Sequence, residues 1–186
     1  MILRELTSTD EQKYLAFVKE WTNAGASKIT PSSVHLNGLT FQEWLVKLEK
    51  DKLSEQNDFV PAETLFLEVA NKLVGAVQLR YKLTEGLVQI GGNIGFGVVP
   101  FERGKGYANV LLAQSLEIFQ KRGFSKVMLT CDKNKYGLKK TIQKNGGILS
   151  AEYLVEGTIV QRFWIELAVA KKIASKGLKQ KKFLFS

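Results

Sequence analysis

A β-branched strand end, a proline, a short basic loop with two glycines and a helix-forming segment follow one another without a break. The run is Val98-Val99-Pro100-Phe101-Glu102-Arg103-Gly104-Lys105-Gly106-Tyr107-Ala108. It constrains the chain more than any other stretch. A strand–loop–helix passage of this composition aims backbone N–H groups outward from a helix N-terminus, with the positive end of the helix dipole behind them. Such a terminus accepts a phosphate or pyrophosphate. Gly104 and Gly106 let the backbone approach a ligand and take positive φ, while Arg103 and Lys105 bring charge to the same point.

Two familiar phosphate loops do not fit the run. A Walker A loop needs a first glycine where Val99 stands and a hydroxyl residue where Gly106 stands. The dinucleotide fingerprint fails at its third glycine, which is Asn109. What fits is Arg-x-x-Gly-x-Ala at Arg103, Gly106 and Ala108, which resembles the acyl-CoA pyrophosphate loop of the GNAT superfamily of N-acetyltransferases. The plainer reading is a basic turn whose glycines serve geometry alone.

Length and composition agree with one soluble domain: 186 residues, 45% hydrophobic and 24% charged. No apolar run reaches the roughly 20 residues of a membrane span, and Met1-Ile2-Leu3-Arg4-Glu5 lacks a signal-peptide pattern. A single cysteine, Cys131, excludes an internal disulfide, so a reducing, cytoplasmic setting is expected. The net charge of +9 is uneven. Residues 167–186 hold six lysines and no acid, and removing those six leaves +3 for residues 1–166. We therefore divide the chain into a domain over 1–166 and a lysine-rich tail over 167–186.

The pattern is mixed α and β. Ser8-Thr9-Asp10-Glu11 reads as a capping box opening a helix that carries Tyr14, Phe17, Val18 and Trp21 on one face. Residues 26–39 are turn-rich. Thr40-Phe41-Gln42-Glu43 is a second capping box. Strands are expected over 64–70 and 73–83, joined at Asn71-Lys72, and a third over 87–99. A helix from Tyr107 to Lys121, a strand over 126–131, a helix near 135–144 and strands over 148–156 and 158–167 complete the order.

This order resembles the GNAT fold. Trp21, Pro31-Ser32-Ser33, Phe41-x-x-Trp44-Leu45, Ile90-Gly91-Gly92-x-Ile94-Gly95-Phe96 and Thr141-Ile142-x-x-Asn145-Gly146-Gly147 also resemble a subfamily of acetyltransferases common in Gram-positive bacteria. The resemblance covers roughly residues 2–166. It implies an α/β (α+β) domain whose mixed, mostly antiparallel central sheet is flanked by helices, with two splayed parallel strands, 93–99 and 126–131. It implies acetyl-CoA as cofactor. Backbone groups of Val98 and Val99 would hold the pantetheine. The N–H groups of Arg103, Gly104, Gly106, Tyr107 and Ala108 would hold the pyrophosphate, with Lys105 beside them. A neutral amine would attack the thioester directly, with an N–H of Val98 or Val99 facing the developing oxyanion.

The chain departs from the family pattern at several positions. The asparagine that often touches the pantetheine falls at Lys135, with Asn134 one residue early, and the small or hydroxyl residue three positions later is Leu138. The tyrosine that often protonates the leaving thiolate falls at Ile142. A histidine often found within the Gly-Gly-x-Ile-Gly strand is Asn93. The general base is thus unassigned, with Asp132, Glu102 and Asn93 as weak candidates.

Cys131 reads as packing rather than a nucleophile, His35 as a turn residue, and Trp21, Phe41 and Trp44 as core. Arg80 and Tyr81 are candidates for an acceptor pocket, against a plainer role as cross-strand partners. One Cys and one His cannot build a metal site. The expected partner is a small-molecule or peptide amine, with no membrane or nucleic acid, and a homodimer is left open. The alternatives are a non-catalytic CoA-binding or regulatory protein on the same fold, or a basic nucleic-acid binder acting through its tail.

Overall fold

The computed structural model describes residues 1–53 and 60–168. Nearly all of the lysine-rich tail lies outside the described residues. The first sheet has strand order β1-β2-β3-β4 and is antiparallel throughout, with β1 Ile2–Arg4, β2 Ala62–Val69, β3 Lys72–Arg80 and β4 Ile94–Val98. The second has order β5-β7-β6, also antiparallel, with β5 Lys126–Asp132, β6 Ile148–Val155 and β7 Thr158–Glu166. β4 and β5 are thus the facing edges of two separate sheets.

Burial on both faces of the first sheet follows from the alternation along β2. Leu65 and Leu67 point to one side, where α4 (Tyr107–Lys121) packs through Leu111, Leu112 and Phe119. Phe66 points to the other side, into an aromatic cluster from α1 (Glu11–Asn23) and α2 (Phe41–Asp51). There Phe66 meets Phe17 edge-on at 5.5 Å and Trp44 at 6.2 Å. Burying an aromatic of this size contributes about 1.5–3 kcal/mol, so the stripe expected from Trp21, Phe41 and Trp44 is core. The same cluster fixes the turn before α2. Tyr14 donates to Val34 O at 2.7 Å and the Trp44 indole to Ser33 O at 3.0 Å. An added Cβ at Gly97 of β4 would lie 2.5 Å from Thr30 O, so this turn rests directly on the strand.

Two expectations about elements are corrected, and one strand is added. The third strand is shorter than expected: α3 (Glu85–Gln89) replaces its first part, because Thr84 caps it through Leu87 N–H at 3.3 Å. Gly91 and Gly92 then take positive φ before β4 begins. β1, only three residues long, escaped the pattern. The first capping box is Thr7 with Asp10, not Ser8 with Glu11: Asp10 accepts from Thr7 N–H at 2.8 Å. Just before β4, Gly92 forms an isolated bridge with Leu129 of β5. The second capping box holds as expected, with Thr40 and Glu43 exchanging bonds.

Asp10 makes the N-terminus a test of acid stability. Arg4 grips its carboxylate with both terminal nitrogens at 2.8 Å. The guanidinium, followed by the Thr7 donors, holds Asp10 well below the usual carboxylate range, although burial opposes this. A depressed folded value means stability that is present above the unfolded value of about 3.9 and is lost as pH falls through the folded one. Chemical unfolding of Asp10→Asn below pH 4 is expected to show a shallower fall of stability with pH than the parent.

Candidate active site

Hydrogen bonding along β4 decides which backbone groups are available. Arg80 N–H donates to Asn93 O at 2.8 Å, and Val99 N–H to Val74 O at 2.9 Å. In the antiparallel register of β3 and β4, paired residues alternate. Residues 93, 95, 97 and 99 therefore bond to β3, while Ile94, Phe96 and Val98 turn their N–H and C=O groups outward. On β5 the bond from Lys133 N–H to Ile159 O fixes the same parity, so Met128, Thr130 and Asp132 turn theirs toward β4. Two half-ladders face each other.

Asn93 pins them together at one point. Its backbone N–H donates to Met128 O at 2.7 Å, its side-chain carbonyl accepts from Met128 N–H at 2.8 Å, and its amide donates to Arg80 O at 3.0 Å. One buried side chain thus ties β3, β4 and β5. Beyond the pin, Ile94–Phe96 and Leu129–Asp132 line a cleft of about 550 Å³. Lys28, Thr30 and Ser32 wall one side and Val155, Glu156 and Val160 of the β6–β7 hairpin another. Lys135, Leu138 and Ile142 add a wall at and within α5 (Tyr136–Lys144).

The loop after β4 presents a helix N-terminus. Gly104 (φ +80°) and Gly106 (φ +85°) are left-handed, and an added Cβ at either would meet nothing within 4 Å. Gly106 occupies the N-cap of α4. Among the described residues, the N–H groups of Gly104, Lys105, Gly106, Tyr107 and Ala108 have no acceptor. These are the orphan donors that a bound oxyanion satisfies.

The side chains there behave otherwise than their charge suggests. The Arg103 N–H is spent on Pro100 O at 3.3 Å. Its guanidinium turns back to donate to Val98 O at 3.1 Å and stacks over Trp21 at 5.5 Å. Lys105 pairs with Glu102 at 2.7 Å, and Glu102 also binds Lys72 at 2.9 Å. Field and donors at this loop therefore come from the backbone.

The acid–base candidates separate. The two lysines hold the Glu102 carboxyl below its ordinary range, and it does not line the cleft. Asn93 is consumed by its pinning bonds. Asp132 lines the cleft at the end of β5, with one carboxylate oxygen accepting from Asn134 N–H at 2.8 Å. Burial pushes the Cys131 thiol up, as packing requires of a strand residue at the cleft floor. Lys135 lines the cleft, whereas Asn134 does not. Tyr81 leaves the acceptor candidates: it packs on Phe119 at 5.3 Å and donates to Glu63 at 2.7 Å. Arg80 stays in the cleft.

The chain matches the acetyltransferase (GNAT) family over residues 34–146. It belongs to that family. Solved structures share the fold at low identity. An acetyltransferase of the GNAT family from Streptococcus pneumoniae has a TM-score of 0.63 at 18% identity, over 90% of this chain and 99% of that one. YncA from Salmonella typhimurium, with its cofactor acetyl-CoA, gives 0.60 at 13%, over 91% and 95%. A ribosomal-protein-alanine N-acetyltransferase from Brucella melitensis gives 0.58 at 15%, over 90% and 100%. Comparison with curated proteins returns no match.

GNAT acetyltransferases use acetyl-CoA, and this chain's residues fit it: among the described residues, five unpaired N–H groups at a helix N-terminus and, beside them, the outer edge of β4, where the Val98 carbonyl accepts from Arg103 and the Val98 N–H faces the gap. Among the described residues no helix is long and apolar enough to cross a membrane.

Proposed function

We propose that the protein transfers an acetyl group from acetyl-CoA to an amine by direct attack in a ternary complex. The observation that carries this is the outward-facing edge of β4, which leads from the unpaired N–H groups at α4 into the cleft. Gly104, Lys105, Gly106, Tyr107 and Ala108 would hold the pyrophosphate. The gap-facing groups of Phe96 and the N–H of Val98 would hold the pantetheine as an added strand does, with Lys135 at the far wall.

Acetyl-CoA, when bound, supplies the activated acetyl group. Val99 has given its N–H to Val74, so of the two strand donors expected over the reacting carbonyl only Val98 is directed at the gap. A fixed donor of this kind typically contributes 10²–10³-fold. Leu138 and Ile142 make the α5 wall apolar, which excludes water but offers no proton to a leaving thiolate. Of the acid–base candidates, Asp132 alone lines the cleft; attack by an already neutral amine needs no dedicated base.

Thiol release from acetyl-CoA, followed across a panel of amines, tests the proposal. Release is expected to depend on the amine and to rise with pH as the amine deprotonates. Cys131→Ala, Glu102→Gln and Asp132→Asn are each expected to lose less than the 10²–10⁴-fold typical of a removed general acid or base. A larger loss in Asp132→Asn, with CoA binding retained, would assign the base. CoA binding without amine-dependent release would favour the non-catalytic alternative.

A further inference from the structure

Arg80 is the half-buried arginine of the cleft, and it makes no ion pair among the described residues. It ends β3, and its guanidinium lies across the glycine face of β4. Nη1 donates to Gly92 O at 3.2 Å and Nη2 to Gln78 Oε1 at 2.6 Å. Nη1 sits 3.4 Å from where a Cβ of Gly91 or of Gly95 would stand, so it fills space that those two positions leave vacant.

The other arginines are used differently. Arg4 and Arg122 pair with carboxylates, and Arg103 and Arg162 stack on Trp21 and Tyr153. Arg80 makes no ion pair among the described residues, and its burial lowers its pKa with nothing opposing. A partly buried guanidinium has five N–H donors, of which two are used here, and desolvating it without a partner is costly. Lys28, exposed and also without an ion pair among the described residues, lines the same cleft. The cleft's carboxylates, Asp132 and Glu156, come from the second sheet.

Resting on the acetyltransferase reading above, we propose that Arg80 binds a carboxylate of the acceptor, so that the acceptor is an amino-carboxylate and not a polyamine. The cofactor's phosphates do not compete for this site. Arg80 lies over Gly95, whereas the phosphate loop begins beyond Val98, about 10 Å farther along β4 at 3.3 Å per residue. The carboxylate can belong to a free amino acid or to the C-terminus of a peptide.

Matched pairs of acceptors read the proposal directly: L-lysine against cadaverine, and a lysine dipeptide against its C-terminal amide. The carboxylate member is expected to have the higher kcat/KM by about ten- to a hundredfold, expressed in KM, as one charge-assisted contact allows. The first pair reports a free amino acid and the second a peptide end. Arg80→Gln should collapse the ratio within each pair while CoA affinity is retained, and Arg80→Lys should restore part of it. Calorimetric titration of the CoA complex with lysine and with cadaverine reads the same preference without turnover. Tighter binding of lysine that is lost in Arg80→Gln supports the carboxylate site even where no acetyl group moves, an outcome that would count against the catalytic reading alone. Cadaverine or spermidine matching lysine in both assays would overturn the inference. So would an Arg80→Gln protein that loses CoA and every amine together, since that marks a purely structural residue.

Discussion

Gly106→Glu is expected to abolish stabilisation by CoA. In the parent, a ligand at a hundredfold excess over its dissociation constant raises stability by about 2.7 kcal/mol if it binds only the folded state. The glutamate would set bulk and negative charge in the open space in front of the α4 N-terminus, among five N–H groups that have no other acceptor. Position 106 has φ +85°, so any side chain there carries about 1–2 kcal/mol of backbone strain. Gly106→Asn supplies the control, because asparagine tolerates the left-handed region and adds no charge. Thermal unfolding with and without CoA should show a shift for the parent, a reduced shift for Gly106→Asn and none for Gly106→Glu. An undiminished shift in Gly106→Glu would place the phosphates elsewhere.

Asn93→Ala is expected to cost about 2–4 kcal/mol of stability. The change strips Met128 N–H and Arg80 O of their side-chain partners at a buried position. Each buried polar group left unpaired costs about 1–3 kcal/mol. The effect should extend to the cleft, because this side chain holds the two sheets together where they part. Denaturant unfolding measures it. A variant as stable as the parent but without activity would instead return Asn93 to the catalytic candidates.

What was legible in the sequence was whatever local chemistry enforces. Gly106 followed by Tyr107 placed the start of α4, and Arg122-Gly123 its end, since a left-handed glycine bounds the helix on each side. The Thr40–Glu43 box is a contact within one turn and needs no tertiary knowledge. The first box slipped by one residue because Asp10 answers to Thr7 in the same way that Glu11 would to Ser8, and Arg4 from β1 decides between them. Leu87, Val88 and Ile90 suit a strand by type; Thr84 and the two glycines at 91 and 92 make the segment a helix and a turn. Asn93 stands where the resemblance puts a histidine, but its role depends on Met128, 35 residues away. The loop's charges misled in a similar way, since neither the stacking of Arg103 on Trp21 nor the pairing of Lys105 with Glu102 can be read from spacing. By sequence Arg80 reads only as a strand residue beside a pocket; that it makes no ion pair among the described residues is a property of the folded surroundings.

The most direct test of the account is amide NMR of the protein titrated with CoA. The account expects the largest shifts at the N–H groups of Gly104 through Ala108 and at Phe96 and Val98, with Val99 less affected because its N–H is held by Val74. Shifts concentrated away from this loop and strand edge, with Gly104 through Ala108 unmoved, would contradict it.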